Sequence, residues 1–201
     1  MPPRPRPEAR PERARGEKDE VLLLHRGLTV AHTSQVAPEL LAAVRAFLDE
    51  AFGGEFADDD WEHALGGMHA LAFDGARLVG HGAVVQRRLV HGGRTWRAGY
   101  VEAVAVASGH RRRGHAAAVM DALEDVVRGA YDLGALSATD EGAALYLSRG
   151  WQRWQGPTSA LTPTGTVPTP EEDGSVFVLP VTADLDPAGE LTCDWRDGDL
   201  W

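Results

Sequence analysis

Three arginines, Arg111, Arg112 and Arg113, stand directly before Gly114, and an apolar pattern at helical spacing begins at Ala116. A basic, glycine-containing turn at a helix start presents unpaired backbone N–H groups and the positive end of a helix dipole, which together receive phosphate. Glycine lets the backbone approach a pyrophosphate with no Cβ in the way. The plain alternative is an arginine-rich turn that is only solvated. Its position after a strand-like alternation from Tyr100 to Ala107 and before an amphipathic helix favours the anion site. A dinucleotide-binding turn is excluded, because G-x-G-x-x-G is absent and hairpin signals precede the loop.

Two further side chains suit proton transfer. Glu102 interrupts an otherwise apolar strand, where an unpaired carboxylate is costly, so either a partner or a catalytic task is expected. Tyr146, in ALYLSRGW, carries a phenol that can pass a proton, although a tyrosine on an amphipathic helix is more often simply packed. The eight histidines lack paired i,i+4 spacing and H-E-x-x-H is missing, so no metal is expected. Cys193 is alone and sits in no nucleophile-elbow context, which argues against covalent catalysis.

The elements that must position these groups are legible in outline. A strand is expected over residues 21–33, then a helix from Pro38 to the Gly53-Gly54 stop, and a short helix opening at Asp58-Asp59-Asp60 and ending at Gly66-Gly67. Strands follow at 68–74, 77–90 and 94–107, separated by Asp74-Gly75 and His91-Gly92-Gly93. A helix from Ala116, a buried strand Leu133 to Ser137, a helix Glu141 to Arg149 and a strand Trp151 to Trp154 come next. Residues 156–170 read as a proline- and threonine-rich loop, Ser175 to Val181 as a last clear strand, and 182–201 as an acidic segment rich in turn residues.

Composition bounds the partners. The net charge is −10, and residues 1–20 hold six basic and five acidic side chains, leaving 14 basic and 25 acidic, a net of −11, on 21–201. That disfavours nucleic acid and anionic membrane and suits a cationic small molecule, although acidic surfaces also simply keep proteins soluble. No apolar run approaches the ~18 residues of a membrane span. One cysteine and no apolar leader point to the cytoplasm. Residues 1–20, with five prolines and eleven charges, read as a disordered tail ahead of one domain over 21–201.

The order strand, Arg-x-x-Gly-x-Ala, helix resembles the acetyl-CoA pyrophosphate loop of the GCN5-related N-acetyltransferases (GNAT), and the element order matches theirs. The resemblance implies an α/β fold of the α+β type, with a mixed central β-sheet splayed at the acetyl-CoA site and flanked by helices. It implies that Val104, Ala105 and Val106 offer backbone groups to the pantetheine arm as an extra strand would, and that Arg111, Arg112, Arg113, Gly114, His115 and Ala116 hold the pyrophosphate. Longer strings are similar to the aminoglycoside 2′-N-acetyltransferases: FGGEFADDDWEHALGGMHAL (52–71), QRRL (86–89), RGAYDLGALS (128–137), SRGW (148–151), GPTSALTPTG (156–165), DGSVFVLP (173–180) and CDWRDGDLW (193–201).

That closer resemblance implies acetyl transfer from acetyl-CoA to the 2′-amine of an aminoglycoside by direct attack in a ternary complex. Glu102 would be the base and Tyr146 the acid, and backbone N–H of the Val104 region would polarise the thioester. It implies antibiotic contacts from Glu55, Asp199, Trp201 with the carboxylate terminus, Glu171 and Glu172, with Ser137 and the backbone at Glu102-Ala103 completing the set. Glu55 and Glu172 depart from the pattern, standing where the shorter aspartate is expected. A homodimer is implied as well. The alternatives are a GNAT enzyme for another amine, such as a polyamine or cell-wall amino sugar, and a non-catalytic acyl-CoA-binding module.

Overall fold

The structure is a computed structural model and describes residues 27–201. The expected tail over 1–20 and the first residues of the expected strand over 21–33 lie outside the described residues. Within them the elements run β1 (Leu28–His32), α1 (Pro38–Ala51), α2 (Asp58–Ala64), β2 (Met68–Asp74), β3 (Arg77–His91), β4 (Arg94–Val106), α3 (His115–Ala130), β5 (Leu133–Ser137), α4 (Asp140–Ser148), β6 (Gln152–Arg153), β7 (Thr158–Thr162), β8 (Gly165–Pro168), β9 (Val176–Pro180) and β10 (Leu191–Cys193).

Local chemistry explains the helices. Pro38 occupies the first turn of α1, where its missing N–H costs nothing. Asp60 Oδ2 accepts the Ala57 N–H at 2.8 Å and so closes the start of α2. In α3, Val119, Met120, Leu123 and Val127 recur at helical spacing and are fully buried against the sheet.

All ten strands form one sheet in the order β6-β9-β5-β4-β3-β10-β7-β8, with β1 and β2 on a branch. The branch exists because β3 is long: Arg77–Val84 pairs with β2, and Leu89–Val90 pairs with β10. Only β4–β5 and β10–β7 are parallel. α3 and α4 cover one face through Val119, Leu123, Tyr146, Trp151 and Phe177, and α1 covers the other through Val44 and Leu48 against Leu71.

Three expectations need correction. Residues 156–170 are not a loop but contain the hairpin β7–β8, and the acidic segment 182–201 contains β10. All three strands are short, and β10 is recognisable as a strand only because it slots between β3 and β7, a long-range pairing that leaves no local pattern. The expected strand Trp151 to Trp154 is reduced to Gln152–Arg153.

Two buried polar groups knit the layers. Glu124 of α3, 3% exposed, accepts from Arg149 Nε at 2.6 Å, Trp151 Nε1 at 3.0 Å and Arg128 Nη2 at 3.1 Å. Burial pushes its pKa up, but these bonds outweigh that and hold the carboxyl below its usual range. Removing it leaves the Trp151 indole N–H unpaired and Arg149 with Asp121 alone, so Glu124→Ala is expected to cost about 1–3 kcal/mol in urea unfolding. Glu124→Gln, which keeps an acceptor, should cost less.

The second is an imidazole pair. His69 and His81, both fully buried, meet Nδ1 to Nε2 at 3.0 Å. Burial and nearby His32 lower His69 from 6.5 to about 4. Burial, partly offset by a bond to the Ala103 carbonyl and reinforced by His69, lowers His81 to about 3. The unfolded chain therefore binds protons that the folded chain refuses, and stability present above pH 6.5 is lost as pH falls toward those folded values. Lowering pH from 6.5 to 5 should cost on the order of 2 kcal/mol for each imidazole, read as a fall in Tm that His69→Asn makes shallower.

Candidate active site

The site begins where β4 loses a neighbour. Ala98, Gly99 and Tyr100 pair with Leu133, Gly134 and Ala135, but beyond Tyr100 the strand β5 continues against β9 alone. β4 runs on beside β3 only, so Glu102–Val106 have no ladder partner on the β5 side. A bulge sharpens the departure. His81 lies opposite Ala105 and Ala83 opposite Glu102, so Gly82 alone faces both Ala103 and Val104. Ala103 takes φ 51°, a left-handed conformation that costs an L-residue about 1–2 kcal/mol. Glycine is required at 82, where a Cβ would lie 2.8 Å from Leu123, 2.9 Å from Val119 and 3.3 Å from Val104.

Two adjoining cavities open on this unpaired edge and share Phe52, Val104, Thr139, Gly142 and Tyr146. The first, of about 320 Å³, follows Val104, Ala105 and Val106 to Arg111 and Ala116. At its end the chain turns through Ser108–His110, takes φ 59° at Arg112 and φ 88° at Gly114, and enters α3 at His115. Gly114 supplies no side-chain cap, so the first amides of α3 are left for a ligand. Arg112 and Arg113 are exposed and do not line the groove, while Arg111 does and reaches Val106 O with its Nε at 3.4 Å. An open strand edge leading to an uncapped, arginine-flanked helix start fits an acyl carrier with a pantetheine arm and a pyrophosphate.

The second cavity, of about 460 Å³, is acidic. Glu55, Asp60, Glu102, Glu172 and Asp199 line it, with Arg196 and His63. Glu102 comes from the bulge in β4, and its Oε1 is paired with Arg196 Nη1. Arg196 also donates from Nε to Asp199 O at 2.6 Å and from Nη2 to Trp201 O at 2.8 Å, so one guanidinium joins Glu102 to the end of the described chain. Glu172 Oε2 accepts from Ser175 Oγ at 2.6 Å and Ser137 Oγ at 3.1 Å, which fixes its direction.

Segment 194–201 reaches the cavity because a second arginine pins it. Arg87 of β3, 4% exposed, donates to Asp194 Oδ1 at 2.8 Å, Asp194 O at 2.7 Å and Leu200 O at 2.7 Å. Trp201, 5% exposed, donates its indole N–H to Thr169 Oγ1 at 3.0 Å. Cys193 is buried behind this segment, its thiol pushed up by burial and directed at Leu200 O at 3.3 Å. Tyr146, in the last turn of α4, packs edge-on against Trp151 and at a tilt against Phe177. Burial pushes its hydroxyl up to about 12, so it is a phenol and not a phenolate at neutral pH.

The geometry thus gathers Glu55, Glu102, Ala103, Val104, Ser137, Tyr146, Glu172, Asp199 and Trp201 around one cleft, with Ala105, Val106, Arg111 and Ala116 in the adjoining groove. Glu171 is exposed and lies outside the lining, one residue from Glu172, which lines it. Sequence reasoning missed Asp60 and Arg196. The signal for Arg196 was faint, a lone arginine in the acidic ending. Asp60 reads in the sequence only as part of the opening of a short helix, whose start it does close through Ala57.

Residues 33–154 match the family described as Acetyltransferase (GNAT) domain. The chain is 55% identical over 183 residues to an aminoglycoside 2′-N-acetyltransferase of Mycolicibacterium fortuitum, covering 89% of this chain and 93% of that one. Among solved structures, an Escherichia coli GNAT family N-acetyltransferase (YhbS) in complex with CoA superposes with TM-score 0.57 at 15% identity, over 82% of this chain and 87% of that chain. A GCN5-related N-acetyltransferase from Kribbella flavida gives TM-score 0.52 at 20% identity over 65% of this chain, which spans 34% of that longer protein. Among the described residues no helix is long and apolar enough to cross a membrane. A strand parted from its neighbour, an uncapped helix start beside it and a 55%-identical relative agree: the chain belongs to the GNAT acetyltransferase family, alongside the aminoglycoside 2′-N-acetyltransferases.

Proposed function

We propose that the protein transfers the acetyl group of acetyl-CoA to the 2′-amine of an aminoglycoside. The observation that carries this reading is the junction of two cavities at Val104 and Tyr146, one running to an uncapped helix start and the other lined by five carboxylates. An aminoglycoside carries several ammonium groups, and each charge-assisted bond to a carboxylate is worth about 1.5–3 kcal/mol. Acetyl-CoA supplies the activated acyl group.

The chain's own groups divide the work. Glu102, with Oε1 held by Arg196, keeps its second oxygen for the ammonium proton, taken directly or through one water. The neutral amine attacks the thioester carbonyl; a C–N bond forms, the C–S bond breaks, and the nitrogen sheds its remaining extra proton to water. The Val104 N–H faces the charge that develops on the carbonyl oxygen. Tyr146, protonated at neutral pH, gives its proton to the departing thiolate and regains one from solvent. Glu55, Asp60, Glu172 and Asp199 hold the remaining ammonium groups, and Arg196 keeps the terminal segment against Glu102. Product amide has one positive charge fewer than substrate and is held less tightly by the same carboxylates.

The proposal extends to setting and assembly. One buried, unpaired cysteine suits the reducing cytoplasm. The edge strand Gly165–Pro168, exposed throughout and flanked by Leu161, offers a surface for a homodimer, which light scattering of the purified protein tests.

Thiol release with an aminoglycoside panel tests the reaction. Drugs with a 2′-amine should be turned over and those with a 2′-hydroxyl should not, with mass spectrometry locating the acetyl group; turnover of polyamines alone would overturn the substrate assignment. Glu102→Gln is expected to lower kcat by about 10²–10⁴-fold at neutral pH while acetyl-CoA still binds. Tyr146→Phe should lower kcat with little change in KM, and an unchanged kcat would remove it as the acid.

A further inference from the structure

The proposed reaction uses none of the buried histidines, yet two of them lead to the bulge that the site is built on. Thr33 Oγ1 lies 2.8 Å from His69 Nε2, His69 Nδ1 lies 3.0 Å from His81 Nε2, and His81 Nδ1 lies 2.9 Å from the Ala103 carbonyl oxygen. Gly66 N–H donates to the same Thr33 oxygen at 2.9 Å. A carbonyl can only accept, so His81 carries its hydrogen on Nδ1 and accepts on Nε2. His69 must then carry its own hydrogen on Nδ1 and accept from the Thr33 hydroxyl, whose one hydrogen has a nearer acceptor in His69, at 2.8 Å, than in the Gly67 carbonyl, at 3.2 Å. With both imidazoles neutral, every donor in the line points the same way, toward Ala103. Burial keeps them so, their pKa values falling to about 4 and about 3.

We infer that His81, supported by His69 and Thr33, is a positioning residue that sets the peptide between Ala103 and Val104 and thereby aims the Val104 N–H at the reacting carbonyl. In a trans peptide the N–H and C=O point in opposite directions, so a carbonyl turned to His81 turns the Val104 N–H away from it, to the side where β4 has no β5 neighbour. Ala103 has φ 51°, which an alanine holds only when its surroundings fix it, and the bond from His81 does that. The same bond polarises the peptide and makes its N–H a stronger donor. This inference rests on the catalytic reading above, in which Val104 N–H faces the thioester.

Imidazole ¹⁵N spectra of the labelled wild-type protein at pH 7 test the line without activity. Both His69 and His81 are expected neutral with hydrogen on Nδ1, and a His81 hydrogen on Nε2 or a charged ring overturns the inference. Kinetics test the consequence. His81→Asn keeps a donor near Nδ1, and His81→Leu keeps the volume and removes it. Loss of the aimed N–H should lower kcat by about 10²-fold in His81→Leu, with a much smaller loss in His81→Asn and KM for acetyl-CoA changing less than kcat. Equal losses in both variants, or none in either, overturn it. Where His81→Leu fails to fold, the spectra and His69→Leu decide, the latter expected to lower kcat without a matching rise in KM. A wild-type protein that releases no thiol with any amine refutes the catalytic reading, while the tautomer result stands by itself.

Discussion

A strand paired on both sides for part of its length and on one side for the rest must leave backbone donors and acceptors exposed, and the site follows from where β4 makes that change. The parting comes after Tyr100, and the bulge at Ala103 and Val104 follows within three residues. Exposed main-chain groups in a sheet interior are normally costly. Here the groups left open line a groove along Val104, Ala105 and Val106, an edge of the kind on which another extended chain can pair. The bulge also moves Glu102 and Val104 onto different faces. Glu102 meets the acidic cleft, while Val104 closes over Gly82 against α3.

Electrostatics finishes what the sheet begins. Five carboxylates around one cavity repel one another, and the structure offsets part of that with a single guanidinium. Arg196 is 13% exposed at its side chain and touches Glu102 and the main chain at Asp199 and Trp201. Arg87 holds the same segment from below at Asp194 and Leu200, and both guanidinium groups lie over the Tyr100 ring. Charged groups therefore anchor the segment together with the apolar burial of Trp201 and Leu200. The consequence is a wall of the cleft that depends on two arginines located on different strands and loops.

The Glu124 cluster and the imidazole pair serve different ends. Glu124 satisfies Arg149, Arg128 and Trp151 and ties α3 to the end of α4, away from the cleft. Apolar replacement of such clusters is often tolerated when the whole set is changed, so their stability contribution alone does not explain them. His69 and His81 differ in that their line of bonds ends on the carbonyl of the bulge itself. A hydrocarbon pair would fill the space between β2 and β3 but would leave that carbonyl unbonded.

Periodicity alone placed α1, α3, β3 and β4, because each is long and has one face buried, and the arginine–glycine turn before His115 was legible as a candidate anion site without any tertiary information. Glu102 stands out for a local reason, a charged group in an apolar run, whereas Tyr146 is singled out by the family resemblance and not by its own surroundings. What the chain could not reveal locally was pairing. Strand β10 is three residues long and exists through its ladders with β3 and β7, and the hairpin β7–β8 hides in a proline- and threonine-rich stretch. Arg196 meets Glu102 across 94 positions, and His81 reaches Ala103 only because the register slips by one residue at Gly82. Side-chain type and spacing are encoded in neighbouring residues and survive in the sequence. Which carboxylate receives an arginine, and which carbonyl is turned inward, depends on register between distant strands, and that is decided when the sheet assembles.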